Sequence, residues 1–151
     1  MERAEQQLDG FIDKYTPEVA AQAREIPGRL RARIPGALLL VYDNYNALAI
    51  GFSSTDRTSD GVLSVALYPR WVTLFFLRGV QLADPHGLLS GSGSHVRHIR
   101  LAGPEDLDDP RVGELIAAAL GQSSPPFDVA RPQRLIIKSV SEKQRSRRPK
   151  A

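Results

Sequence analysis

Apolar residues recur at helical spacing through the first quarter of the chain. Ala4, Leu8, Phe11, Ile12 and Tyr15 form one stripe, which predicts a helix over residues 3–15. Thr16-Pro17-Glu18 then supplies a capping hydroxyl, a proline suited to the first helical position and a first-turn acid. Val19, Ala23, Ile26, Leu30 and Ile34 carry the same period onward and predict a second helix. Pro27 interrupts that stripe without ending it, so a kinked helix or two abutting helices are expected.

Beyond residue 36 the pattern becomes short, apolar and β-prone. Residues 37–42 and 47–52 read as strands joined by the turn Asp43-Asn44-Tyr45-Asn46, and 53–61 as a polar loop. Residues 62–68 and 71–77 make a second hairpin about Pro69-Arg70. Asp84-Pro85 is expected to open a short helical turn that closes at Gly91, and residues 96–101 read as a fifth strand. Asp109-Pro110 caps a last helix with Val112, Leu115, Ile116, Ala119 and Leu120 on one face and Gly121 just beyond. A Pro/Ser-rich connector over 123–127 leads to a final strand at 134–140. Two helices, hairpin-linked strands and a late helix predict an α+β fold: a central antiparallel sheet of about five to six strands with helices packed on one face. With no internal repeat and no second core, residues 1–140 are expected to be one domain.

Composition narrows the chemistry. The chain has no cysteine, which excludes disulfides, thiolate metal sites and a catalytic thiol. Residues 1–14 are charged, and the longest nearly apolar stretch, 37–42, falls far short of the roughly 20 residues a bilayer span needs. A soluble cytoplasmic protein, monomeric or homodimeric and without a membrane partner, is the expectation. The net charge of +3 is unevenly placed. Residues 141–151 hold five basic residues against Glu142, a charge of +4, which leaves −1 for the rest. That tail is expected to be disordered, and nucleic acid is expected as a partner only through it.

Three clusters offer candidate chemistry. In Gly91-Ser92-Gly93-Ser94, freed backbone amides could face an anion, with Arg97 and Arg100 supplying charge. The segment lacks the lysine-hydroxyl ending of a Walker loop, and a strand rather than a helix follows it. His95 and His98, three apart, would point oppositely in a strand, so zinc is not expected. Tyr42, Tyr45, Tyr68 and Trp71 sit at the ends of the two hairpins and could line a shallow pocket with Asp43, Asn46 and Arg70. Glu2, Glu5, Asp9 and Asp13 share one face of the first helix, where carboxylate oxygens could hold iron or another divalent cation weakly. A second acidic cluster, Glu105, Asp106, Asp108 and Asp109, suits the positive N-terminus of the helix that follows it. No motif with a catalytic residue is found.

Several segments, in order, resemble one bacterial family. Phe11-Ile12-Asp13-Lys14-Tyr15 looks like its opening helix, and Ile34-Pro35-Gly36-Ala37 through Tyr42 like its helix-to-strand passage. Val72-Thr73-Leu74-Phe75-Phe76-Leu77 with Gly79 looks like its central strand and turn. Leu82-Ala83-Asp84-Pro85, Leu89-Ser90-Gly91-Ser92-Gly93 and Arg97-His98-Ile99-Arg100-Leu101 are similar to its late loop and strand. Through these segments the chain resembles the YdhG-like family, a domain of unknown function. The resemblance implies an α+β fold around an antiparallel sheet and no catalytic residues. Some relatives are described as frataxin-like intracellular iron chaperones, and Glu2, Glu5, Asp9 and Asp13 would be the matching surface. The expectation is a non-enzymatic module for an unidentified small ligand or protein partner. It would have no resident cofactor, with weak iron binding as the alternative and nucleic-acid association through the tail as a second.

Overall fold

The computed structural model describes residues 2–150. Helix α1 spans Arg3–Ile12 and ends earlier than the apolar stripe, because Thr16 must be extended before Pro17 (φ −60°, ψ 155°). The stripe still works as a unit: Leu8, Ile12 and Tyr15 are all buried. Helix α2 spans Pro17–Arg33, with the Thr16 hydroxyl accepting from the Val19 amide at 3.4 Å. It runs as one helix through Pro27, so of the two expected alternatives it is the single helix, not the abutting pair, that forms. Pro27 and Ile26 are both buried, and packing outweighs the one hydrogen bond that proline removes.

The strands are β1 (Leu38–Asp43), β2 (Leu48–Ser53), β3 (Gly61–Leu67), β4 (Val72–Phe76), β5 (Arg97–Leu101) and β6 (Arg134–Val140). They form one six-stranded sheet in the order β5-β4-β3-β2-β1-β6. All pairs are antiparallel except β1 with β6, which is parallel. From β5 the chain crosses the four intervening strands by way of helix α3 (Pro110–Gly121). A crossover of that kind delivers the next strand in parallel orientation.

Leu39, Val41, Ile50, Phe52, Leu63, Val65, Leu74 and Phe76 alternate onto the inner face and join one core with Ile26 and Leu30 of α2 and Leu115 and Ile116 of α3. Each side chain buried in this way contributes about 1.5–3 kcal/mol. All three helices pack on that face. On the opposite face Leu38, Leu40 and Tyr42 lie beneath the β2–β3 loop. That loop is anchored by Tyr42 Oη against Thr58 Oγ1 (2.7 Å) and by Lys138 Nζ donating to the Asp56 carbonyl (2.8 Å).

Two local expectations change. Residues 84–91 make no helical turn: the Asp84 carboxylate accepts from the amides of Leu88 and Leu89, both at 2.9 Å, and the turn closes at Gly87 with φ +64°. A short carboxylate that binds backbone amides competes directly with helix formation. The C-terminal residues also differ from the disordered tail expected, since 141–150 fold back on the domain. Among the described residues, no helix is long and apolar enough to cross a membrane.

Candidate functional site

The register of the sheet puts both hairpin turns at one end. Asp43, Leu48, Leu67, Val72 and Leu101 form one continuous row across five strands, and the β1–β2 and β3–β4 turns project beyond it. Tyr15 holds this end together: its hydroxyl donates to the Leu67 carbonyl at 2.7 Å and accepts from the Leu48 amide at 3.2 Å. Burial pushes the phenol above its ordinary pKa against the lowering pull of Arg147, so it stays a donor at neutral pH.

The C-terminal segment docks on the same end. The Ser141 amide donates to the Asp43 carbonyl at 2.8 Å, and the Arg145 amide to the Tyr45 carbonyl at 2.9 Å. The Arg147 guanidinium reaches under the β1–β2 turn to Asp43 Oδ1 at 2.9 Å, and it also donates to the carbonyls of Asn44 and Tyr45. Its side chain is 3% exposed and that of Asp43 1%. A charge removed from water this fully is tolerated only when paired and hydrogen-bonded. The pair therefore fixes the position of residues on either side of it. Arg148 adds a bond from its Nε to the Lys14 carbonyl at 3.1 Å.

Docked in this way, the segment forms one wall of an open groove of about 650 Å³. Pro69, Arg70 and Trp71 of the β3–β4 turn make one side, and Arg145, Ser146, Arg148, Pro149 and Lys150 the other. Among the described residues the lining carries four cations and no carboxylate. Among the described residues none of the four is in an ion pair. Trp71 stacks with Tyr68 (ring centres 5.5 Å apart), and the Arg100 guanidinium lies 4.1 Å from the Trp71 ring centre. At the far wall the Arg145 guanidinium lies 5.4 Å from the Tyr45 ring centre. The groove thus offers clustered positive charge braced by ring contacts, the arrangement that takes phosphates.

Residues from three of the expected clusters are placed as follows. Trp71 and Arg70 line the groove, Arg100 and Tyr45 border it through their ring contacts, and Tyr42 is held away from it by Thr58. Asp43 does not line a pocket but binds Arg147. The segment Gly91, Ser92, Gly93, Ser94 is exposed and apart from the groove. Its Arg97 donates to the Gly93 carbonyl (2.6 Å) and the Val96 carbonyl (2.8 Å) of the same loop. Arg97 and Arg100, three apart on β5, face opposite sides of the sheet and do not act on one anion.

The α1 carboxylates meet arginines of α2. Arg24 bridges Asp9 (2.8 Å) and Asp13 (2.7 Å), which together raise its pKa, and Arg31 pairs with Glu5 at 3.0 Å. Glu2 lies apart, on a groove with Thr55, Arg131 and Arg134. Among the described residues, no three His, Asp or Glu side chains converge as metal ligands do. The guanidinium of Arg24 occupies the position a cation between Asp9 and Asp13 would need.

Arg145, Arg148 and Lys150 were legible only as part of a basic run. A signal for their docking does exist. Asp43 ends an apolar strand, Leu38–Asp43, whose other residues are all buried except the half-buried Tyr42, and such a carboxylate requires a cationic partner. The chain matches no protein-family model, no curated protein and no solved structure.

Proposed function

We propose that this chain is a non-enzymatic binding module for phosphate-bearing ligands, taken in the groove between the β3–β4 turn and the docked C-terminal segment. One observation carries the reading: Arg70, Arg145, Arg148 and Lys150 line a single groove with Trp71 and, among the described residues, without any carboxylate. Its size lies within the roughly 300–1,000 Å³ of small-molecule sites. Four cations without an ion-pair partner among the described residues are costly to hold together in the free protein, and an anion that neutralises them relieves that repulsion.

The sole tryptophan of the chain sits in the groove, so its fluorescence reads occupancy directly. Titration with ATP and with inorganic pyrophosphate at low salt is expected to give saturable changes that weaken as salt rises. Arg148→Ala/Lys150→Ala, which spares the Arg147 anchor, is expected to weaken binding at least tenfold. Titrations without a saturable change, or a double variant equal to the parent, would remove the reading. The iron-delivery alternative implied by the YdhG-like resemblance has no specific observation in its favour, because Glu5, Asp9 and Asp13 are engaged by Arg31 and Arg24 and Glu2 lies apart from them.

A further inference from the structure

The cations of the groove come from both of its walls. Arg70 stands on the β3–β4 turn, and Arg145, Arg148 and Lys150 belong to the docked segment. Each wall is tied to the body of the protein. The Tyr68 amide donates to the Trp71 carbonyl at 2.9 Å and closes the turn, and the Tyr15 hydroxyl holds Leu67 just before it. On the other side the buried pair of Arg147 with Asp43 pins the segment. The gap between the walls is therefore set by the fold, and an anion reaches cations on both sides only if its charge is spread along its length.

Charge and size point the same way. A single phosphate carries about −1.5 to −2 at neutral pH, roughly half of what the four cations can neutralise. Linked phosphates supply the remainder, and a groove of about 650 Å³ has far more room than one phosphate fills.

The groups that would read whatever the phosphates are attached to are already in use. Trp71 stacks with Tyr68, ring centres 5.5 Å apart, and carries the Arg100 guanidinium 4.1 Å from its centre. The Ser146 hydroxyl turns back on its own segment, donating to the Arg148 carbonyl at 2.9 Å and accepting from the Arg148 amide at 3.2 Å. A nucleoside would have to displace these contacts to make its own, with little net gain.

We infer that the groove takes oligophosphates, chains of linked phosphates that bridge from Arg70 to Arg148 and Lys150, and that it is indifferent to the group such a chain carries. This inference rests on the phosphate-binding reading above.

The test is isothermal titration calorimetry of the full chain with orthophosphate, pyrophosphate, tripolyphosphate and ATP, all at one pH and one ionic strength. Affinity is expected to rise from orthophosphate through pyrophosphate to tripolyphosphate, with a total gain of about tenfold or more. ATP is expected to bind no tighter than tripolyphosphate. Arg70→Ala is expected to weaken tripolyphosphate about tenfold and to change orthophosphate far less, since the opposite wall holds the smaller anion. Arg70 is exposed, so the variant leaves the fold intact. Orthophosphate equal to tripolyphosphate, ATP tighter than tripolyphosphate, or an Arg70→Ala effect that is absent or the same for both anions would overturn the bridging inference and leave the phosphate reading standing. Absence of binding by all four anions would overturn both.

Discussion

Replacing Arg147 by alanine would leave Asp43 as a carboxylate in an apolar strand end with no cation to meet it. In the parent Asp43 Oδ1 has one strong partner, and Oδ2 is buried without any. The Arg147 side chain satisfies three acceptors at once, on Asp43, Asn44 and Tyr45. Breaking a buried pair from one side costs about 3–5 kcal/mol, mostly through the charge left behind. An upper limit also applies. Arg147 anchors residues 141–150 to the domain, and once the pair is broken they can lift away so that water reaches Asp43. The loss therefore cannot exceed the free energy with which that segment docks, plus what the rehydrated Asp43 retains. We expect Arg147→Ala to lower the stability measured by urea unfolding by about 3 kcal/mol, the bottom of that range. Asp43→Leu/Arg147→Met, which replaces both charges by apolar groups, is expected to recover most of it. A loss below about 1 kcal/mol, the value of an exposed pair, would refute the view of this contact as a buried anchor. So would a double variant no more stable than Arg147→Ala.

Other consequences follow from single residues. Tyr15→Phe removes the hydroxyl shared by Leu48 and Leu67, leaves two buried backbone groups unpartnered, and is expected to cost about 1–3 kcal/mol in urea unfolding. Gly36 has φ +80°, and a Cβ there would collide with the Asp128 carbonyl, so Gly36→Ala is expected to cost more than the roughly 1 kcal/mol typical of backbone strain alone. Hydrogen bonds from the Arg111 side chain hold the Asp109 carboxyl down at about 2. Its folded pKa lies below the unfolded value of about 3.9, so its contribution is present above pH 4 and is lost as pH falls toward 2. The melting-temperature gap between the parent and Asp109→Ala should be constant from pH 7 to 5 and narrow between pH 4 and 2. A gap independent of pH down to 2 would contradict that assignment.

Much of the fold could be read from periodicity because the core is built from it. Leu8 and Ile12, Ala23 and Ile26, Leu115 and Ile116 mark helix faces, and Ile50, Leu63 and Leu74 mark strands, each by spacing within one element. Partner direction leaves no such mark. Nothing in residues 134–140 distinguishes a strand that pairs parallel with β1 from one that pairs antiparallel. The candidate site was legible by halves. Trp71, Tyr45 and Arg70 stand at hairpin ends, where local sequence places them. The opposite wall depends on Arg147 finding Asp43 across 104 positions of chain, and composition alone gave that segment the character of a solvated tail. The α1 acids misled for the same reason. Their arginine partners, Arg24 and Arg31, lie on the next helix, where spacing along α1 carries no trace of them.

Amide chemical-shift mapping with inorganic pyrophosphate tests the central claim most directly, because it reports where the ligand sits as well as whether it binds. The account predicts saturable shifts concentrated at residues 68–71, 100 and 143–150, together with the Trp71 indole N–H. Shifts centred on residues 91–97 or on α1, or a spectrum that does not change, would contradict it.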